Sequence, residues 1–254
     1  MCPVADLLYG RQPVMEVFRA GRRTVANCWM LDTARPDASL EEIKAAALKA
    51  GVPVHGTDRH ALDTRTDGAN HQGVVIETDG YPYVDLEDIL AHKPADGVPP
   101  VVIAADHVQD PQNLGGLLRS AETAGVSGLI IPKDRSAEVT PSAVRASAGA
   151  AEHVRVARVV NLTRALEAAK ERDFWVAGLE SVPEAKRFDQ ADLNGPLVLV
   201  VGSEGSGLTR LVRETCDYLI RIPMWGRVES LNAQVAAAIA LYEARRQYLV
   251  AAAK

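Results

Sequence analysis

Three stretches of this chain carry residues whose types and spacing can do chemistry. The first, VLVVGSEGSGLTR over 198–210, runs from an apolar segment into a Gly-rich turn and then a helix start. Its frame matches a phosphate-binding loop at Gly202, Gly207 and Thr209, but Leu208 stands where a lysine must reach the phosphates. Glu204, inside the loop, would repel a phosphate chain. The nucleophile elbow G-x-S-x-G also fails, because Val201 takes the place of its first glycine. The dinucleotide pattern G-x-G-x-x-G fails because the order here is G-x-x-G-x-G. What remains is a loop whose backbone can approach a ligand closely, with a carboxylate suited to positive charge.

The second stretch is DHVQDPQNLGGLLRSAETAGV, 106–126. Asp110 and Pro111 make a turn, and Asn113 reads as the N-cap of a helix starting at Leu114. Gly115 and Gly116 in its first turn cost stability relative to alanine, which points to close packing by a ligand or another backbone. Arg119 follows one to two turns along. The third stretch, 222–247, turns at Pro223 and Gly226 and enters a long last helix. Ser230 reads as its N-cap and Asn232 lies at its start, where free N–H groups cluster. Leu231, Val235, Ile239 and Tyr242 form one stripe of that helix. An alanine-rich face over 236–240 suits close packing, including against a second subunit. Taken singly, each stretch is also an ordinary capped helix.

The elements that must position these loops fall into two regions. Residues 1–78 read as a compact α/β module, with helices over 11–20 and 40–50 and short strands over 28–31, 52–55 and 74–77. A proline-containing, acidic linker occupies 79–99, with one helical turn near 86–91. From 100 to 254 the pattern alternates strand and helix. Strands are expected over 101–105, 128–131, 154–157, 174–178, 197–201 and 218–222. Their continuous apolar runs suit a mostly parallel sheet buried on both faces. A helix over 161–172 is capped by Asn161.

The bulk numbers set limits. At 254 residues with 47% hydrophobic and 24% charged content, the chain is long enough for two modest cores. A net charge of −5 argues against a protein that coats nucleic acid, although a local basic cluster exists at Arg19, Arg22 and Arg23. Cys2, Cys28 and Cys216 are scattered, and the six histidines show no H-E-x-x-H, so metal-free chemistry is expected. No run is long and apolar enough for a membrane span, and Met1–Gly10 lacks the character of a signal segment; a cytoplasmic protein is expected.

Together the three loops resemble the SpoU/TrmH (SPOUT) family of RNA ribose methyltransferases. The family's Asn-Leu-Gly with a helical Arg is similar to Asn113-Leu114-Gly115 and Arg119. Its G-x-E-G-x-G is similar to Gly202-Ser203-Glu204-Gly205-Ser206-Gly207. Its I-P-M-x-G ending in S-L-N is similar to Ile222-Pro223-Met224-Trp225-Gly226 and Ser230-Leu231-Asn232. Tyr9-Gly10, His71-Gln72-Gly73, 132–136 and 148–152 extend the resemblance over most of the chain. They look most like the RlmB-type branch, which methylates a guanosine ribose in 23S rRNA. Two departures stand out: Gln234, where relatives carry a small residue, and Gly116, where alanine is common.

The resemblance implies a SPOUT-type α/β fold with a C-terminal trefoil knot and a small N-terminal L30e/L7Ae-like α/β domain. It implies S-adenosylmethionine as cofactor, held by Gly202, Ile222, Leu231 and Met224, with no metal. Arg119, Asn113, Glu204, Ser230 and Asn232 would be catalytic, and Arg11, Arg22, Arg23 and His71 would contact RNA. The implied partners are 23S rRNA or a large-subunit assembly intermediate, and a second copy of the chain. A tRNA ribose methyltransferase, a resistance methylase acting at another rRNA site and a silent rRNA-binding assembly factor are the alternatives.

Overall fold

The computed structural model describes residues 6–32, 37–94, 97–228 and 230–253. Cys2 lies outside them. In chain order the elements begin β1 (Asp6–Tyr9), α1 (Arg11–Ala20), β2 (Val25–Leu31), α2 (Ala38–Lys49), β3 (Val54–Thr57), α3 (Arg59–Arg65), β4 (Val74–Thr78) and α4 (Leu86–Leu90). They continue with β5 (Val101–Asp106), α5 (Pro111–Thr123), β6 (Gly128–Pro132), α6 (Pro141–Ala146), β7 (Val156–Val159), α7 (Leu162–Lys170), β8 (Trp175–Leu179) and β9 (Lys186–Arg187). The last are β10 (Leu197–Gly202), α8 (Arg210–Thr215), β11 (Tyr218–Arg221) and α9 (Ala233–Ala252).

The chain divides into two compact units, one of Met1–Pro82 with Val139–His153, the other of Tyr83–Glu138 with Val154–Lys254. The first unit holds a four-stranded sheet in the order β1-β4-β2-β3, antiparallel except for β2 with β3. Local chemistry fixes its helices. Gly21, in the left-handed region at φ 60, ends α1, and the Asp37 carboxylate caps α2 through Ser39 and Leu40 N–H. The segment containing α6 packs back on α1 and β1, and its Glu152 enters the interior of this unit.

The second unit is a seven-stranded sheet in the order β7-β6-β5-β10-β8-β11-β9, every pair parallel. All residues of β5 and β10 are buried, as a central parallel pair with both faces covered requires. From β5 the chain goes outward to β6 and β7, and later returns to place β10 on the other side of β5. The carboxyl ends of β5 and β10 are therefore a topological switch point, where open α/β sheets bind ligands.

Candidate active site

The loop after β10 is built for close approach. A Cβ at Gly202 would lie 2.3 Å from the backbone carbon of Gly207, so the loop folds back on the strand end only because no side chain is there. Gly207 N–H donates to Ser203 O at 3.1 Å and closes the turn. The next two amides point to carboxylates: Leu208 N–H donates to Glu180 Oε2 at 3.1 Å and Thr209 N–H to Asp106 Oδ2 at 2.7 Å. These are the donors a phosphate loop would offer its ligand, and here they are taken. The Leu208 side chain is 3% exposed and joins the core with Val200, Val212 and Phe174.

Two expected caps move, and both moves matter. Asp110 caps α5 through Gln112 N–H, with Pro111 at the first helical position, so Asn113 lies inside the first turn. Its side chain is thereby free for another use. At α9 the cap is Asn232, whose Oδ1 accepts from Gln234 N–H at 2.9 Å; Ser230 lies before it. The remaining atom of that carboxamide, Asn232 Nδ2, donates to Asn113 Oδ1 at 2.9 Å and to Glu204 Oε1. Both amide protons are thus used, each on a different loop.

Glu204 of this junction lines two neighbouring cavities, Asn113 lines the smaller of them, and Asn232 stands behind both. One, of about 770 Å³, is lined by Gly202, Glu204, Ile222, Met224, Ser230 and Leu231 among others, and so gathers all four residues expected to hold the cofactor. The other, of about 560 Å³, is lined by His107, Asp110, Asn113, Arg135, Glu204 and Thr209 among others. Arg119 lines neither. It is exposed on α5, with no side-chain hydrogen bond or ion pair among the described residues. The structure thus brings together Asn113, Glu204, Asn232 and Ser230, and leaves Arg119 apart.

Several residues that hold or line these loops carry no motif in the sequence. Asp106 is fully buried and accepts from Thr209 N–H while its other oxygen meets His107 Nδ1 at 2.6 Å. Glu180 follows β8 and also accepts from Arg213 at 3.2 Å. The signal for both was their position, at or just past the carboxyl end of a strand that flanks β10. His107 and Arg135 hold φ of 59° and 54°, uncommon for residues with side chains.

The four expected RNA contacts lie in the first unit and are largely occupied there. Arg23 is the clearest correction: its side chain is wholly buried and paired with Glu152 and Asp6, both at 2.9 Å, so it cannot meet RNA. Arg22 donates to the carbonyls of Glu152 and Pro82, each at 3.1 Å. His71 is buried; its Nδ1 accepts from Gly73 N–H, which leaves Nε2 to donate to Asp63 at 3.1 Å. Arg11 is more open, bound to Gln72 O at 3.1 Å and Asp37 at 2.5 Å. It shares a cavity of about 550 Å³ with His71 and Arg59.

Burial pushes the Cys28 thiol up to about 11 and the Cys216 thiol up to about 12, so neither is a ready nucleophile. Among the described residues, no group of three or more His, Cys, Asp or Glu could hold a metal ion, and no helix is long and apolar enough to cross a membrane.

Residues 100–242 match the SpoU rRNA Methylase family, and residues 7–84 match the RNA 2′-O ribose methyltransferase substrate binding family. The chain belongs to the SpoU/TrmH family. It is a ribose 2′-O-methyltransferase of RNA that uses S-adenosylmethionine. A tRNA/rRNA methyltransferase of Mycolicibacterium vanbaalenii is 43% identical over 242 residues, which cover 95% of this chain and 76% of the relative. The AdoMet-bound rRNA methyltransferase of Sinorhizobium meliloti superposes with a TM-score of 0.76 at 27% identity, over 95% of this chain and 87% of that one. The TrmH/SpoU tRNA modifying enzyme of A. aeolicus gives 0.56 at 30% identity, over 66% of this chain and 82% of that one. The residues present fit the cofactor. The larger cavity borders the carboxylates of Glu180 and Glu204, while the amides of Leu208 and Thr209 are already used.

Proposed function

We propose that this protein methylates the ribose 2′-hydroxyl of a guanosine in 23S rRNA, as free rRNA or in a large-subunit assembly intermediate. The junction of Asn232 with Asn113 and Glu204, on the border of two cavities, is the observation that carries the site assignment. S-adenosylmethionine, when bound, supplies an electrophilic methyl group. Gly202, Ile222, Met224 and Leu231 would hold it in the larger cavity. The smaller cavity, with Asn113, Arg135 and His107, would take the nucleotide. Asn232, Glu204 and Ser230 would fix the reacting groups between the two, where positioning supplies much of the rate.

Arg119 would act from a second copy of the chain, gripping the adjacent phosphate and orienting the hydroxyl through paired hydrogen bonds. A guanidinium does not readily give up a proton, which favours orientation over base catalysis. The homodimer is supported by exposed apolar side chains: Trp225 is 90% exposed and Val228 74%, beside a groove they share with Ile222, Met224 and Leu231, and Tyr242 on α9 is 54% exposed. The alanine-rich face packs closely within the second unit, with Ala237 and Ala240 buried where α9 meets α5 and β10, so it adds nothing to the homodimer. The knotted path of the C-terminal segment and a cytoplasmic location belong to the same reading. The wider match to an rRNA enzyme than to a tRNA enzyme, 95% of this chain against 66%, favours rRNA. The first unit would grip folded RNA by shape and exposed loops.

The test is transfer of labelled methyl from S-adenosylmethionine to RNA from cells lacking this gene, separated into 23S, 16S and tRNA. Label on 23S RNA alone is expected. Label on tRNA would overturn the substrate assignment. Mixing Arg119→Ala with Asn232→Ala subunits should restore part of the activity that each variant lacks alone.

A further inference from the structure

Gly116 and Gln234, the two residues set apart in the resemblance, lie against each other. A Cβ built on Gly116 would sit 1.1 Å from Oε1 of Gln234, 2.2 Å from its Cδ and 3.1 Å from its Cβ. The Gln234 side chain therefore fills the space that a methyl group at 116 would need. Gly116 lies one turn beyond Asn113 on α5, and Gln234 lies in the first turn of α9, two residues beyond Asn232. The same two helix starts thus meet twice: through Asn232 Nδ2 on Asn113 Oδ1 at 2.9 Å, and through Gln234 on Gly116.

We infer that Gln234, seated on Gly116, is a positioning residue for methyl transfer. It acts through Asn232, and the inference rests on the role proposed above for that residue. Gln234 lines neither cavity and, unlike Asn232, makes no hydrogen bond with Glu204 or Asn113, so it reaches the reaction through the helix that carries it. Helix separation is set by the side chains at the contact. With glycine at 116 the first turn of α9 comes close, and the Gln234 stem sets how close. A methyl group at 116 would meet the Gln234 carboxamide at 1.1 and 2.2 Å, atoms that a serine at 234 lacks, while the Cβ contact at 3.1 Å asks for a shift of only a few tenths of an ångström. A methyl group at 116 therefore lifts the helix start and draws Asn232 off Asn113 and Glu204.

The test compares Gly116→Ala, Gln234→Ser and the double variant by single-turnover methyl transfer, with melting temperatures beside the rates. Gly116→Ala is expected to slow transfer about tenfold and Gln234→Ser about threefold, while the double variant returns to within about threefold of wild type. Asn232→Ala should cost less in the Gly116→Ala background than in wild type, because both act on one contact. A double variant as slow as the product of the singles would overturn the inference. So would an Asn232→Ala loss that is equal in both backgrounds. Wild-type protein that binds S-adenosylmethionine but methylates no RNA would instead sink the proposed function. The pairing is then read from the melting temperatures, where the double must recover what Gly116→Ala loses, and no recovery overturns it.

Discussion

In the first unit the Arg23 guanidinium is wedged between Glu152 and Asp6 with none of its side chain exposed. In the second, the Asn232 carboxamide joins Asn113 and Glu204 on the border of two cavities. Both are polar groups with every obvious partner satisfied, yet their settings differ. The first network is sealed and joins distant parts of the chain into one core. The second is partly exposed and borders two cavities through Glu204. Saturated hydrogen bonding therefore does not separate structural from functional polar groups; what lies beside them does.

The largest effect should come from breaking the sealed network. Removing one partner of a buried ion pair leaves the other charge uncompensated, so Arg23→Ala should lower stability by about 3–5 kcal/mol in denaturant melts. Protein that remains folded at low temperature should keep most of its S-adenosylmethionine affinity, because no cavity of the second unit is touched. Equal loss of cofactor binding would erase the distinction between the two networks.

A second substitution asks whether the loop after β10 could ever serve phosphate. Leu208→Lys supplies the missing lysine of the phosphate-loop frame. It should create no ATP binding in a titration, because Leu208 points into the core and Glu180 and Asp106 hold the amides of Leu208 and Thr209. It should cost about 2–4 kcal/mol, as expected for replacing a buried leucine with a group that cannot be charged there. Tight ATP binding would mean that the loop can be re-aimed by one side chain.

The smallest effect is at the edge of the first unit. Burial works against the charge of Glu16, but hydrogen bonds from His153 and Arg19 outweigh it and hold the carboxyl below its ordinary value. A depressed carboxyl stabilises the fold above its unfolded pKa of about 4.3, and that contribution is lost as pH falls through the lower folded value. Glu16→Gln should flatten the acid limb of the melting curve by less than about 1 kcal/mol. An unchanged acid limb would remove Glu16 from the account.

Much of this arrangement was legible in the sequence, and the exceptions share a cause. Helix α1 falls where periodicity places it, and Asn161 caps α7 as its type suggests. The two misplaced caps were local errors: Asp110 before Pro111 already carried the stronger signal, and Asn232 outcompetes Ser230 by two residues. The apolar stripe of the last helix is not its buried face, since Val235 and Tyr242 are exposed while Ala237, Ala240 and Ala244 pack inward. Partners far along the chain were beyond local reading. Arg22 and Arg23 look like a surface cluster until Glu152, 129 residues from Arg23, arrives beside them. The turns after β5, β10 and β11 were legible because each carries its own glycine, proline or cap chemistry within a few residues.

The central claim is that the junction at Asn232 serves the reaction rather than the fold. Asn232→Ala should be followed by single-turnover methyl transfer, cofactor titration and thermal melting on one preparation. The account predicts a rate lower by about a hundredfold or more, with S-adenosylmethionine affinity within about threefold of wild type and a stability loss of about 1 kcal/mol from the missing cap. An unchanged rate would contradict it, and so would a rate that falls only as far as cofactor binding and stability fall.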